Sequence, residues 1–574
     1  MIKTLSKSIR EYKKQSILSG LFILIEVIME ILIPLILAYL IDDGIKASNI
    51  DVVYKSSIQL IIIATISLIS GVMASKYSAI ASSGFAKNLR QDMYFKIQDY
   101  SFSNIDKFSS SSLVTRLTTD VSYIESAYMM IIRTALRSPF MLILALVSVL
   151  MINKKIALIY LGVIPFLGIS LFIIATKAHP KFKKVFETYD ELNTVVQENV
   201  RGIRVVKAYV KEEDEKTKFG KISKLIYERF TKAEKIVAWN QPVMQFSMYT
   251  CNILLAFFAT KMIVGGSLTT GELTGLFSYT GQILSSLMML SMIYVMTIIS
   301  ATSAERVCEV LSETSDIKNN DNPIKEVKNG DIEFKNVSFG YSRNKDKLVL
   351  KNINLNIKSG EVIGIIGGTG SSKSSLVNLI NRLYDVKEGE VLLGGVNVKD
   401  YDLEVLRDNV SVVLQKNVLF SGTIIDNMRW GKKDATLEEI KEVCHLACAD
   451  EFIETFKEKY EYVLDQGGTN VSGGQKQRLC IARALLKNPK VIIFDDSTSA
   501  VDTKTDATIR KNLVKYLPQV TKLIITQRIA SVEDADKVIV MDKGQVDAFD
   551  TPANLLKNNK IYKEVYESQK RGVK

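Results

Sequence analysis

Residues Val362–Tyr384 read VIGIIGGTGSSKSSLVNLINRLY: an apolar strand, a run of glycine and serine, then an apolar helix. Glycines let a backbone curl around phosphate, and the loop amides point inward at a helix N-terminus, where the partial positive charge favours an anion. In this pattern Gly367, Gly368, Thr369, Gly370, Ser371, Ser372 and Ser375 form the cradle, Lys373 reaches the β- and γ-phosphates, and the Ser374 hydroxyl can ligate magnesium. The pattern asks for glycine immediately before the lysine, and Ser372 stands there. Serine is small and keeps the amide, so phosphate binding is expected to survive. A Gly/Ser-rich turn without chemistry is the bland alternative.

Downstream residues remove that alternative. VSGGQKQR at Val471–Arg478 opens a helix, LCIARALL, and the buried strand VIIFDD follows it. With these three motifs the chain resembles the ATP-binding cassette family, of the exporter type. The resemblance implies an α/β P-loop nucleotide-binding domain that uses ATP and Mg2+ and hydrolyses ATP as a dimer. Ser472, Gly473, Gly474 and Gln475 match the signature that caps the γ-phosphate of ATP held by the opposite cassette, so one chain completes neither site. Tyr341, in SFGYS, matches the aromatic that stacks on adenine; an ordinary strand tyrosine is the alternative. Gln415, in VVLQKN, matches the glutamine that meets magnesium and water and senses the membrane domain. Asp495 matches the carboxylate that holds magnesium through water, and Asp502, in SAVD, the loop that communicates between the two sites.

Upstream lie six apolar runs, each close to the roughly 20 residues that cross a bilayer: Ile17–Ile41, Val53–Ala74, Ala135–Ile152, Ile156–Ala175, Val243–Val264 and Leu276–Ile299. The expected fold is therefore an all-α six-helix transmembrane domain (the type IV exporter fold) over residues 1–311, a polar linker over 312–330, and the cassette over 331–574. Lys3, Lys7, Arg10, Lys13 and Lys14 place the N-terminus in the cytoplasm, and an even number of spans puts the cassette there too. The first apolar run is too long for a cleaved signal and lacks a small-residue cleavage site, so it is expected to remain as a span. The connections after the second and fourth spans run to about sixty residues and keep helical periodicity. They are expected to continue as helices below the bilayer and to turn near Asn104–Ser112 and Ala208–Thr217. By resemblance these turns are coupling helices, one of which, usually the first, docks on the partner's cassette.

Glu26 and Glu30 share one helix face within the first span. An ionised group there costs about 3 kcal/mol or more unless it faces protein or water. A site for cationic substrate or protons is one reading; paired structural acids, with Arg133 and Arg137 as partners, is the favoured one. Pro34, Pro139 and Pro165 are expected to kink helices.

Bulk composition fits this division. The chain has 574 residues, 47% hydrophobic and 24% charged. Its net charge of +12 sits largely in segments flanking spans, as in KSIREYKK, which reads as positive-inside anchoring and not as nucleic-acid binding. Five scattered cysteines read as reduced structural thiols, and Cys444, His445 and Cys448 lack the second ligand pair of a metal site.

Three departures from the family cluster at the hydrolytic step. Asp496 stands where a glutamate usually polarises the attacking water; one methylene shorter, its carboxylate sits about 1 Å from the working position, a misplacement that can cost ~100-fold. Gln527, in KLIITQRIAS, replaces the switch histidine and cannot become cationic. Gln466, in DQGGTN, stands where exporters commonly have glutamate. The pattern resembles bacterial heterodimeric multidrug exporters, in which one site hydrolyses and the other mostly holds ATP. The expectation is one subunit of such an exporter in a bacterial plasma membrane, paired with a second, non-identical half-transporter and moving a small amphipathic or hydrophobic compound across the lipid bilayer. A homodimer with two slow sites, a lipid flippase, and an ATP-binding regulatory or channel-like subunit are the alternatives. An importer is disfavoured because importers usually carry the cassette on a separate chain, and a peptidase-linked exporter because little precedes the first span.

Overall fold

The computed structural model describes residues 1–341, 347–496 and 501–571. It divides into one unit of Met1–Asp99 with Phe108–Glu313 and a second of Tyr100–Lys107 with Thr314–Lys574.

The first unit is built from helices α1 (Lys13–Tyr39), α2 (Ile50–Gln98), α4 (Ser110–Ile152), α5 (Lys154–Arg201), α7 (Glu212–Val264) and α8 (Thr270–Ser312), with the short helix α6 (Ile203–Ala208) at one lower turn; the helix of the other, α3 (Phe102–Phe108), falls all but its last residue in the second unit. Six of these helices carry stretches long and apolar enough to cross a membrane, in agreement with the sequence. Local capping fixes the short connections. Asn49 and Asn153 accept from backbone amides at the starts of α2 and α5, and Thr269 forms a reciprocal capping box with Glu272 at the start of α8. Ile58, Ile61, Ile62, Leu68 and Ile69 of α2 face outward, as hydrocarbon but not water would favour. Inside, Ile23, Leu167, Leu255 and Ile283 form the core. Two buried tyrosines satisfy their hydroxyls across helices: Tyr160 donates to the Leu276 carbonyl at 3.0 Å and Tyr279 to that of Ile31 at 2.7 Å.

The two acids of the first span are paired. Arg137 of α4 places Nη2 2.7 Å from both carboxylate oxygens of Glu30 and Nη1 3.1 Å from Glu26. Of the two arginines expected as partners, Arg137 makes the ion pairs among the described residues. Pro34, Pro139 and Pro165 all lie inside helices.

Both lower turns fall earlier than the sequence suggested. The first is α3, Phe102–Phe108, and the second spans α6 and the three residues after it. Gly202 caps α5, and Glu212, Glu213, Asp214 and Glu215 occupy the first turn of α7, where carboxylates complement the helix dipole. The expected turn, Ala208–Thr217, therefore overlaps the start of α7.

In the second unit, strands β1 (Ile332–Phe339), β2 (Leu350–Ile357), β4 (Glu388–Leu393) and β5 (Val396–Asn397) form an antiparallel sheet in the order β2-β1-β4-β5. A six-stranded sheet runs β12-β11-β3-β10-β9-β6, from β3 (Val362–Gly367), β6 (Val410–Val413), β9 (Val491–Asp495), β10 (Thr521–Ile525), β11 (Lys537–Asp542) and β12 (Gln545–Asp550). A small hairpin, β7 (Gly422–Thr423) and β8 (Val463–Leu464), stands apart. The polar stretch between the domains is anchored to this unit: Ile317 and Val327 are buried and Ile324 bridges Tyr401. All five cysteines are free thiols, and burial pushes Cys444 up to about 12. His445 pairs with Asp450 at 2.7 Å.

Candidate nucleotide site

Strand register assembles the site. β10 is parallel to both β3 and β9, with Ile525 level with Ile365 on one side and with Asp495 on the other. The phosphate loop after β3, Asp495 and Asp496 at the end of β9, and Gln527 just past β10 therefore emerge at one edge, the carboxyl ends of parallel strands, where such sheets bind ligands. β6 is parallel to β9, with Val413 level with Phe494, so Gln415 emerges at the same edge. Residues about 30 to 160 positions apart in sequence are gathered by hydrogen-bonded ladders of short apolar strands.

Within the loop the backbone is held in unusual conformations. Gly367 has φ +157°, and a side chain there would put Cβ 2.3 Å from the Met541 carbonyl oxygen. Ser372, in place of glycine, adopts the left-handed conformation (φ 73°, ψ 26°) and precedes helix α9 (Lys373–Val377). A non-glycine residue held there stores about 1–3 kcal/mol of strain. Serine thus keeps the backbone path that the glycine pattern implies.

The Lys373 ammonium donates to the carbonyls of Gly367 (2.9 Å) and Gly368 (3.0 Å). Burial pulls its pKa down, against the opposing pull of Asp495 and Asp496. Ser374 Oγ donates to Asp495 Oδ1 at 2.9 Å. Burial holds the Asp495 carboxyl above the ordinary carboxylate range, with Ser374 and Lys373 countering and Asp496 reinforcing. A hydroxyl and a half-buried carboxylate in contact beside a lysine are a hard-oxygen donor set suited to Mg2+ and to phosphate. Asp496 has φ 45° and donates its amide to the Ile525 carbonyl at 2.9 Å, which fixes its backbone between β9 and β10.

Tyr341 reaches the phosphate-loop helix: its hydroxyl is 2.8 Å from Ser375 Oγ, and its half-exposed ring meets Tyr384 edge-on at 5.0 Å. An exposed aromatic beside the loop is placed to stack on a base. Ser342, Ser499 and Ala500 of the quoted motifs lie outside the described residues. Asp502 caps helix α11 (Thr503–Tyr516), its carboxylate accepting from Thr505 N at 2.9 Å. Ser472 and Gln475 form a reciprocal capping box at the start of α10 (Gly473–Leu485), beside Gly473 and Gly474. Their hydrogen bonds go to each other, and none links them to Lys373, Ser374 or Asp495 among the described residues.

Two further residues belong to this neighbourhood. Tyr384 contacts Tyr341 on one side and Phe102 and Asp106 of the first lower turn on the other. Its position at the end of the apolar helix read first was the available signal. Gln569 bonds the backbone on both sides of Arg528, and nothing in the sequence marks it. The first lower turn thus packs on this chain's own cassette, which corrects the expectation that it is the turn serving the partner's.

Comparison with known proteins agrees with this architecture. Residues 16–288 match the family described as ABC transporter transmembrane region, and residues 350–499 match ABC transporter. The uncharacterized ABC transporter ATP-binding protein YfiB of Bacillus subtilis is 34% identical over 98% of each chain. YknU of the same organism, described in the same words, is 30% identical over 98% of this chain and 96% of its own. Among solved structures, a bacterial Atm1-family ABC exporter with ATP bound superposes with TM-score 0.83 at 20% identity, covering 97% of this chain and 98% of that one.

Proposed function

This chain belongs to the ABC transporter family, as a multi-pass plasma-membrane exporter ATPase with its cassette in the cytoplasm, and from that premise we propose that it is the degenerate-site subunit of a heterodimer exporting amphipathic or hydrophobic compounds. What supports this reading is that Asp496 and Gln527 follow adjacent parallel strands, at the two positions that the family resemblance assigns to activating the attacking water. Each falls short in the same step: Asp496 in reach, Gln527 in charge.

Tyr341 would stack the base, the loop amides and Lys373 would hold the phosphates, and Ser374, Asp495 and Gln415 would hold Mg2+. When bound, the metal neutralises charge on the β- and γ-phosphates. Gln527 donates to a γ-phosphate oxygen without adding positive charge, so the nucleotide is held more than it is cleaved. Ser472–Gln475 complete the partner's site, whose hydrolysis drives the cycle.

A groove in the cassette supports a dimer. Leu414, Val418, Phe420 and Trp430 are exposed along it, and Arg407 Nε, Ser411 Oγ, Asn417 Oδ1 and Arg483 Nη1 are buried there without a hydrogen-bond partner among the described residues. Large apolar side chains exposed along one groove favour a docking segment that covers them. With the first lower turn engaged on its own cassette, the partner's second turn is the fitting occupant. The experiment is to purify the chain alone and with a second half-transporter encoded beside it and to measure ATPase and transport: negligible turnover alone and fast turnover in the complex support the reading, and fast turnover alone contradicts it.

A further inference from the structure

The loop that carries Gln527 is gripped from outside by the end of the chain. Helix α12 (Lys560–Arg571) packs Ile561, Tyr562, Val565 and Tyr566 against the cassette core, Tyr562 being 1% exposed. One turn further along that face the apolar series gives way to Gln569. Its Nε2 donates to the Gln527 carbonyl at 2.6 Å, and its Oε1 accepts from Ile529 N at 2.9 Å. One amide side chain thus satisfies an acceptor and a donor two residues apart, as a neighbouring strand would. Lys570 adds an ion pair to Glu533 at 3.8 Å. On the inner side the same loop is tied to α11: Ser531 Oγ donates to the buried Asp506 carboxylate at 3.3 Å. The Gln527 side chain itself is exposed, so its reach is set by where its backbone is held.

We propose that Gln569 is a positioning residue for the nucleotide site: by clasping the Gln527 carbonyl and the Ile529 amide it holds the Gln527 side chain in register with the γ-phosphate, making α12 part of the device that retains ATP. The proposal rests on the reading of Gln527 as the γ-phosphate contact. A flexible amide in place of an imidazole gains most from a fixed backbone, because it has more rotamers to lose on binding.

The test uses the full chain in its complex with the partner half-transporter. The complex is loaded with radiolabelled MgATP, and release of the retained nucleotide after dilution into unlabelled ATP is timed for wild type, Gln569→Ala, Gln569→Glu and Gln527→Ala. Gln569→Ala is expected to release about tenfold faster, the value of two modest hydrogen bonds, with ATP affinity weakened by up to the same factor because the clasp acts on the bound state. Gln569→Glu keeps the acceptor for Ile529 N and loses the donor to Gln527, so it falls between. Should Gln569→Ala lower the melting temperature, Gln569→Glu decides, since it keeps the helix tied to the loop: faster release at the wild-type melting temperature supports the clasp, and a wild-type rate overturns it. Wild-type release in Gln569→Ala beside fast release in Gln527→Ala overturns the clasp alone. Wild-type release in Gln527→Ala overturns the reading of Gln527 and the clasp with it.

Discussion

Tyr384 donates its hydroxyl to Asp106 Oδ2 at 2.8 Å, while its ring meets that of Tyr341, the residue proposed to stack on adenine, edge-to-face at 5.0 Å. One side chain therefore touches both Tyr341 and the first lower turn. Burial, reinforced by the Asp106 carboxylate, pushes the phenol well above its usual range, so it remains a donor at any physiological pH. Tyr384→Phe keeps the ring packing and removes only the bond to Asp106. The expected outcome is unchanged ATP affinity with transport several-fold lower per ATP hydrolysed, because a hydrogen bond to a charged group is worth about 1.5–3 kcal/mol. Parallel transport and ATPase assays in proteoliposomes check it.

The raised pKa of Asp495 makes a prediction about stability. The folded cassette holds this proton to higher pH than the unfolded chain does. Unfolding therefore releases a proton within that window, and stability falls as pH rises from the ordinary carboxylate range through the raised value. Above the window the penalty is present in full. Without nucleotide, Asp495→Asn is expected to melt higher than wild type at neutral pH and to lose this part of the pH slope. With MgATP the order reverses, because only the carboxylate repays its burial by binding the metal. Thermal scans at several pH values, with and without MgATP, check both halves.

Much of this was legible before the structure. Motifs whose chemistry depends on adjacent residues, such as the phosphate loop and the signature, were visible because their spacing is local, and the six spans because bilayer thickness imposes a length. Tyr384 and Gln569 were not, since their roles depend on contacts across some 40 to 280 positions. The second lower turn had a local signal in Gly202, which ends α5, and in the acidic run at Glu212–Glu215, which opens α7.

The ion cluster in the first span carries its own test. Arg137 is bonded to both Glu26 and Glu30, and its side chain is 34% exposed. Arg137→Met strands two acids among helices, an expected loss of about 2–3 kcal/mol, reduced by that exposure from the cost of a fully buried pair. Thermal unfolding in lipid nanodiscs measures it. Because both acids are engaged, changing both to Gln is expected to leave export of cationic cargo at the level of neutral cargo; a selective loss of cation export would instead make them a substrate site.

The central claim is that hydrolysis takes place at the site built on the partner's phosphate loop and not on this chain's. It is tested most directly by ATPase turnover of the purified complex carrying Asp496→Ala, beside a complex in which the partner's equivalent glutamate is changed to alanine. The account predicts near wild-type turnover for Asp496→Ala and a loss of about 100-fold or more for the partner's substitution. Equal loss from the two would make Asp496 a working base and contradict the asymmetric reading.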